Sequence, residues 1–307
     1  MPLHRLISVT IGVPNVAETA RYYTAFGLTP QHDGWFCTRD GGRQMRIVHS
    51  PMRRLVEVHI GADDTDDITR VADGLRRLGI ESAGGPHSVT AVEKATGVRA
   101  TVEIAPRVTQ EPAPAVAYNG PGRIARTGAR APGVLRTERV QPRKLGHTVL
   151  GTTNLAATRA FFLEGLGFKL SDTIKDIGAF MRCSTDHHNV LVLQAPVGFL
   201  HHTSWQVDDI DEVGRGASAM LKDHPERHIW GLGRHHAGSN FFWYLKDPAG
   251  NFSEYYSDMD CIIDDQLWTP EAHAGARGLF NWGPPPPPSF LSPEDLGALM
   301  TGAHSAR

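Results

Sequence analysis

The feature that most constrains the fold of this 307-residue chain is an internal repeat. Residues 6–28, LISVTIGVPNVAETARYYTAFGL, align without a gap with residues 145–167, LGHTVLGTTNLAATRAFFLEGLG. Each copy is typical of an alternating strand, then an Asn that suits a helix N-cap, then a helix with paired aromatic residues that ends near Gly. A second pair, LVEVHIGADDTDDITRVADGLRRLGIE and LHHTSWQVDDIDEVGRGASAMLKD, again has a strand whose acidic end suits a helix N-terminus. Each half therefore contains two strand–helix units, each followed by further strands, which indicates two rounds of duplication.

Composition changes between and after these halves. Residues 106–143 are rich in Pro, Gly and Arg, so we expect a partly ordered connector. The segment FNWGPPPPPSF contains five consecutive prolines, which adopt polyproline II or coil, and we expect an extended surface arm rather than a ligand for a proline-binding partner. We predict an α+β protein with these parts: an N-terminal domain at 1–125, a connector at 126–143, a C-terminal catalytic domain at 144–268 and a proline-rich tail at 269–307.

Bulk composition excludes several classes of protein. The chain is 40% hydrophobic and 21% charged, and its net charge of −2 gives no electrostatic reason to expect nucleic acid or an anionic membrane. No apolar run approaches the roughly 20 residues that span a bilayer, and the start lacks the pattern of a signal peptide. Cys37, Cys183 and Cys261 form no CxxC pair, which favours a reducing cytoplasm. We expect a cytoplasmic homo-oligomer without a nucleic-acid or membrane partner.

Three predicted strands of the second half carry side chains that bind metals. KLGHTVLG contains His147, FLHHTSWQVDD contains His201 and His202, and NFSEYYSD contains Glu254. Alternation along the strand leaves open which histidine of the pair faces inward. Two imidazoles and one carboxylate suit a non-haem Fe(II) centre with open coordination positions, and zinc accepts the same ligands.

A single His or Glu on a strand is more often a hydrogen-bonded or solvated residue than a ligand. Here all of the candidates fall at equivalent points of repeated units, which favours a metal site. The first half lacks such a set, because its aligned positions hold Ser8, Glu57 and Thr101. We therefore expect one half to be structural and the other to carry the chemistry.

The second half resembles the catalytic domain of the type I extradiol ring-cleavage dioxygenases, in the vicinal oxygen chelate superfamily. The motifs that carry the resemblance are LGHTVLGTTN, HHNVLVL, LHHTSWQVDD, GLGRHH and FWYLKDPAGNFSEYY. A weaker similarity extends it over most of residues 1–260. The resemblance implies four βαβββ modules paired into two domains, with the metal in the C-terminal cup.

Motif by motif, the resemblance implies a set of site residues. His147, His202 and Glu254 would be the metal ligands, since the family uses the second histidine of the LHH pair. His188, the second histidine of DHHNVLVL, would be the active-site acid–base residue. His235 of GRH and Tyr244 of FWYLKDPAG would be catalytic and substrate-binding residues with His188, and would hydrogen-bond the substrate or its oxygenated intermediates.

The resemblance implies an Fe(II)-dependent extradiol dioxygenase that cleaves a substituted catechol with O2; Mn(II) also fits the ligands. After GRH, many relatives carry Asn-Asp where this chain has Ala237 and Gly238, so substrate preference stays open. The alternatives are a glyoxalase-type metal-dependent lyase or isomerase, and a non-catalytic protein that binds a small aromatic ligand. Pocket or core positions are expected for the nearby aromatic residues Phe180, Trp205, Phe241, Phe242 and Trp243.

Overall fold

Four copies of one βαβββ module follow each other in the computed structural model, which describes residues 3–302 apart from the side chains of 276 and 277. The first module consists of β1 (Leu3–Val13), α1 (Val16–Phe26), β2 (Thr29–Pro30), β3 (Trp35–Thr38) and β4 (Gly42–His49). The second consists of β5 (Arg54–Ala62), α2 (Thr65–Arg77), β6 (Ser82–Gly85), β7 (Ser88–Val92) and β8 (Arg99–Ile104). The following connector contains one helical turn, α3 (Pro132–Leu135).

The second half repeats the same order of elements. The third module consists of β9 (Lys144–Thr152), α4 (Leu155–Ala160) continued by a π-helical turn (Phe161–Gly165), β10 (Lys169–Ile174), β11 (Gly178–Arg182) and β12 (Val190–Gln194). The fourth consists of β13 (Phe199–Gln206), α5 (Ile210–Leu221), β14 (His228–Arg234), β15 (Phe241–Lys246) and β16 (Phe252–Ser257). The tail adds β17 (Glu271–His273), α6 (Pro288–Leu291) and α7 (Leu296–Met300). The four predicted modules are confirmed.

The modules pair into two mixed sheets. The strand order is β2-β3-β4-β1-β5-β8-β7-β6 in the first sheet and β14-β15-β16-β13-β9-β12-β11-β10-β17 in the second. In each sheet the first strands of two modules pair antiparallel at the centre, β1 with β5 and β9 with β13. Each of these first strands also pairs parallel with the last strand of its own module. This topology brings β9, β13 and β16 side by side, although they lie far apart in sequence.

Polar residues occupy the N-cap position of all four module helices, as predicted. The side chains of Asn154, Asp64 and Asp209 each accept a hydrogen bond from a backbone N–H in the first helical turn. The Asn15 side chain makes no such bond, since its oxygen accepts from the Thr19 hydroxyl and its amide donates to the carbonyl of Pro248 in the second half.

Aromatic residues of α1 pack against the back of β16. The ring of Phe26 stacks on that of Tyr255 at 3.8 Å between centroids, and the Tyr22 hydroxyl lies 2.5 Å from Ser253 Oγ. Because side chains alternate along a strand, Glu254 points to the opposite face from its neighbours Ser253 and Tyr255. The first half therefore packs against one face of β16, whereas Glu254 lies on the opposite face.

The tail contacts the second sheet both before and after its proline run, and β17 pairs with β10 ahead of that run. The proline run at 284–288 is exposed or half-buried, as an arm would be. Phe290 just after it is buried and packs on His201, Trp230 and Tyr244. The tail therefore covers part of the second sheet. The limits of the domains at residues 125, 143 and 268 remain a prediction.

Candidate metal centre

Three buried side chains from adjacent strands point to a common spot. His147 lies on β9, His202 on β13 and Glu254 on β16, and Ser204 of β13 is in register with both His147 and Glu254. The Nε2 atom of His147 lies 3.1 Å from Glu254 Oε2 and 3.3 Å from His202 Nε2, and the third side of the triangle, His202 Nε2 to Glu254 Oε2, is 3.6 Å. The sheet therefore brings together all three predicted ligands.

The dimensions and chemistry of this triangle fit a metal ion. Ligands about 2.1 Å from a metal and at right angles to each other are separated by about 3 Å, close to the three measured distances. The Oε2 atom of Glu254 is buried and has no hydrogen-bond partner in the described part of the chain. A buried carboxylate oxygen without a donor is costly unless a cation satisfies it.

The charge state of Glu254 also suits a ligand. Burial would raise the pKa of Glu254, but its contact with His147 and the charges of His147 and His202 outweigh burial and hold this pKa below its usual range. The carboxylate is thus ionised. Its other oxygen, Oε1, accepts a hydrogen bond of 3.2 Å from the Asn240 amide, which is itself fully buried. Asn240 was not predicted as a site residue, because an Asn between Ser and Phe ahead of a strand is equally typical of a loop.

The neighbouring His201 sets the tautomer of His202. The Nε2 atom of His201 donates to the carbonyl of Phe290 at 2.5 Å, so in the neutral ring its Nδ1 is an acceptor. The Nδ1 atom of His202, 2.7 Å away, must then carry the hydrogen and donate to it. The lone pair of His202 is left on Nε2, the atom that faces His147 and Glu254. Such outer hydrogen bonds usually orient metal-binding histidines.

His235 and Tyr244 form a hydrogen-bonded pair beside the triangle. The Nδ1 atom of His235 donates to the carbonyl of Leu279, so its Nε2 accepts from the Tyr244 hydroxyl at 2.8 Å. His235 Nε2 also lies 3.6 Å from Glu254 Oε1. Burial, reinforced by the charge of Glu254, raises the pKa of Tyr244 well above its usual value. Tyr244 is therefore a neutral hydroxyl.

His188 lies against His147, with 4.2 Å between ring centroids, on the segment that leads into β12. It is buried next to Phe180, and its Nδ1 lies 3.1 Å from the Nδ1 of His187. Burial, followed by the charges of neighbouring histidines, lowers the pKa of His188 well below its usual value. The ring is thus neutral and one of its nitrogens is free to accept a proton.

Five of the six predicted site residues line one small cavity, and the sixth, Glu254, is fully buried in contact with two of them, His147 and His202. Apolar side chains supply most of the remaining wall: Val149, Phe180, Leu191, Leu193, Ala237, Leu279, Phe290 and Leu291. Of the five aromatic residues singled out above, Phe180 lines the cavity, Trp205 and Phe242 are core, and Phe241 and Trp243 are half-buried. No sequence pattern pointed to Leu279, Phe290 or Leu291, which belong to the tail.

Within residues 3–302, a second group of side chains is close enough to hold a metal ion: His236 and Glu271, which are exposed, and His273, which is buried. The first-half residues aligned with the triad, Ser8, Glu57 and Thr101, form no such group in the part of the chain that the structure describes. In that same part, no helix is long and apolar enough to cross a membrane.

The comparisons with known proteins agree with this geometry. Residues 144–255 match the model of the Glyoxalase/Bleomycin resistance protein/Dioxygenase superfamily. The chain is 30% identical to metapyrocatechase 2 of Cupriavidus necator over 299 residues, covering 94% of this chain and 92% of that one. It is 26% identical over 246 residues to the biphenyl-2,3-diol 1,2-dioxygenase of Pseudomonas sp. strain KKS102, covering 76% and 80%.

Among solved structures, the Mn(II)-bound glyoxalase from Novosphingobium aromaticivorans superposes with a TM-score of 0.72 and 25% identity, covering 93% of each chain. The fold, the duplication and the similarity along nearly the whole length to metapyrocatechase 2 lead to one assignment. The chain belongs to the extradiol ring-cleavage dioxygenases of the Glyoxalase/Bleomycin resistance protein/Dioxygenase superfamily.

Proposed function

We propose that the protein is an Fe(II)-dependent dioxygenase that opens the ring of a substituted catechol next to its two hydroxyls, with O2 as co-substrate. The observation that carries the proposal is the buried triangle of His147, His202 and Glu254, whose two histidines line a largely apolar cavity. Two neutral ligands and one anionic ligand on one side of a metal are typical of non-haem Fe(II) oxygenases and leave the other side open. Mn(II) is the second candidate, because the same ligand atoms can bind it and one similar solved structure is described as Mn(II)-bound.

A metal held by these three residues would supply one centre at which the diol oxygens and O2 bind together. The protein contributes the shape and dryness of the cavity around that centre. Apolar walls such as Val149, Leu191 and Phe290 exclude water and take up the hydrocarbon ring.

In this proposal His188 moves the proton. A catechol that binds a metal through both oxygens gives up hydroxyl protons, and a neutral imidazole inside the cavity can accept one. Burial keeps the ring of His188 neutral, as described above. The same residue can return the proton when the ring opens.

In this proposal His235 and Tyr244 bind and orient the substrate oxygens. Both line the cavity, where the Tyr244 hydroxyl donates to His235 Nε2. When a substrate oxygen binds beside them, the Tyr244 hydroxyl turns its hydrogen to that oxygen, and His235 Nε2 can accept from a substrate hydroxyl. A donor carried on a packed strand stabilises negative charge on oxygen at little cost in reorganisation. The side chain of Ala237 also faces the cavity, where it adds apolar wall instead of a polar group.

Oxygen uptake by the iron-loaded protein tests the proposal. The protein is loaded with Fe(II) without oxygen and then mixed with catechol, 3-methylcatechol and 2,3-dihydroxybiphenyl in air-saturated buffer. We expect one O2 consumed per catechol and a yellow ring-opened product. A protein that binds iron but consumes no O2 with any of these catechols contradicts the proposal.

The similarity to a solved glyoxalase makes a metal-dependent lyase or isomerase the competing function. Reaction of the metal-loaded protein with methylglyoxal and glutathione in the absence of O2 tests that alternative. We expect no turnover, because the metal-binding residues come from one half only. The homo-oligomeric state and the structural role of residues 1–125 are further parts of this proposal.

A further inference from the structure

Three buried hydrogen bonds connect His188 to the tail strand β17. The Nδ1 atom of His188 lies 3.1 Å from Nδ1 of His187, and Nε2 of His187 lies 3.2 Å from Asp172 Oδ2. The same carboxylate oxygen is 3.0 Å from Nε2 of His273. Its other oxygen accepts from the backbone N–H of Glu271 at 2.8 Å. The mechanism proposed above uses His188 but neither His187 nor Asp172.

The direction of each hydrogen bond follows from the carboxylate. Burial would raise the pKa of Asp172, but hydrogen bonds from His187, the Glu271 N–H and His273 outweigh burial and lower this pKa. An ionised carboxylate only accepts, so the hydrogen of a neutral His187 ring sits on Nε2. Its Nδ1 is then an acceptor, and Nδ1 of His188 must donate to it. The lone pair of His188 is therefore on Nε2.

We propose that Asp172 and His187 are positioning residues that fix His188 in the tautomer with a free Nε2, the nitrogen that takes the substrate proton. The proposal rests on the acid–base role of His188 in the proposed function. His187 does not line the cavity, whereas His188 does, so His187 acts through its neighbour and not on the substrate.

The surroundings of His187 hold it in this orientation. Its ring is fully buried between Phe180 and Trp268, at 5.8 and 5.1 Å between ring centroids. The turn at Gly238 closes over both histidines: a Cβ there would lie 3.2 Å from His187 Nδ1 and 3.4 Å from His188 Cε1, at a φ of +86°. A glycine at this turn leaves room for the two rings to meet.

The same arrangement recurs at the metal ligand His202. There the acceptor is the Phe290 carbonyl, the intermediate ring is His201, and the result is again a free Nε2 on the second histidine. In both His-His pairs, a buried oxygen accepts from the first histidine and thereby determines the tautomer of the second histidine, two hydrogen bonds away.

The substitution Asp172→Asn tests the assignment. The asparagine oxygen at position 172 can still accept from the Glu271 N–H, which turns the asparagine NH2 group towards His187 Nε2. That nitrogen must then accept, so the hydrogen of His187 moves to Nδ1 and the hydrogen of His188 moves to Nε2. We expect kcat on 3-methylcatechol to fall about 10- to 100-fold. Iron content should stay unchanged and KM within about threefold, because the lost interaction concerns the proton transfer and not substrate binding. Asp172→Glu, which again only accepts, should restore most of kcat.

His187→Phe is the second variant, and it tests the positioning role even if Asp172→Asn does not fold. The Phe ring suits the aromatic surroundings but offers no acceptor, and we expect kcat to fall about tenfold. The matched control is Glu226→Gln, the same carboxylate-to-amide change next to a histidine, in an exposed pair 3.0 Å apart with His224. It should leave kcat and KM unchanged.

Three results overturn the assignment, and they can be told apart. If His188→Phe lowers kcat but Asp172→Asn and His187→Phe do not, His188 acts without positioning by these residues. If Asp172→Asn lowers kcat only together with loss of iron or a large rise in KM, Asp172 is structural. If His188→Phe retains kcat while the enzyme cleaves catechols, the proposed role of His188 fails first, and the positioning role fails with it.

Discussion

Arg53 of the first half and Asp295 of the tail form a two-bonded ion pair across 242 residues of sequence, with Nε–Oδ2 at 2.5 Å and Nη2–Oδ1 at 2.8 Å. Arg53 is buried, and its remaining donor bonds the carbonyl of Leu200 and the side chain of Asn251. The pair holds the tail against the second sheet, five residues after Phe290, whose ring packs on His201 next to the proposed ligand His202.

Removal of this pair should release the tail. Asp295→Asn leaves a buried guanidinium without its anion, and we expect a loss of about 2 kcal/mol in the free energy of unfolding and faster proteolysis near residue 290. The control is Glu294→Gln, which breaks the exposed pair with Lys246 at 3.3 Å and should cost less than about 0.5 kcal/mol. Equal effects of the two substitutions would contradict this reading.

Loss of the single anionic ligand should abolish metal binding. Glu254→Gln keeps the shape of the side chain but removes the charge, and we expect iron affinity to fall at least about 100-fold. Metal analysis of protein dialysed after Fe(II) loading measures the effect. Glu57→Gln, the same change at the first-half position aligned with His202, should retain iron, and iron retained by Glu254→Gln would exclude the proposed ligand set.

Truncation of Phe290 should weaken metal binding without touching a ligand. Phe290→Ala removes a buried ring, which costs about 3–5 kcal/mol in a packed core, and should displace the backbone carbonyl that holds His201. With the His202 tautomer no longer fixed, we expect an increase in the metal dissociation constant of about tenfold, measured by competition with a chelator. Met300→Ala, an exposed position in the same tail, should leave it unchanged.

His4 should make the protein sensitive to acid independently of the metal centre. Burial lowers the pKa of His4 below its usual value of 6.5, and neither ring nitrogen has a hydrogen-bond partner in residues 3–302. As the pH falls below 6.5, the unfolded chain takes up a proton that folded His4 does not, so stability is lost by up to about 1.4 kcal/mol per pH unit.

Denaturant unfolding between pH 7 and 5 checks this expectation. The stability of His4→Gln relative to wild type should improve as the pH falls, because glutamine takes up no proton. Comparison of the two proteins at each pH removes the effects that both share, including acid release of the metal. A difference between His4→Gln and wild type that stays constant between pH 7 and 5 would contradict the prediction.

The modules and the convergence of the three ligand candidates were predictable because both follow from short-range patterns repeated along the chain. Strand alternation and the aligned positions of His147 and His202 place these side chains at equivalent points of paired strands. Asn15 shows the limit of such patterns. It occupies the N-cap position that its residue type suits, but its side chain bonds Thr19 and a carbonyl 233 residues away instead of a backbone N–H of the helix.

The surroundings of the site could not be predicted in this way. His187 and His201 each precede a residue that the motifs select, yet their roles depend on acceptors distant in sequence. His201 bonds a carbonyl 89 residues later. No periodicity signals a contact of this kind, because the tail lacks regular secondary structure between β17 and α6 other than one short turn.

The bond between His201 and the Phe290 carbonyl also matters for chains that terminate early. His147, His202 and Glu254 all precede Phe290, so a polypeptide that stops before residue 290 would contain all three proposed ligands but lack the acceptor that fixes the His201 ring. We expect such a truncated chain to hold a metal ion more weakly than the 307-residue chain does.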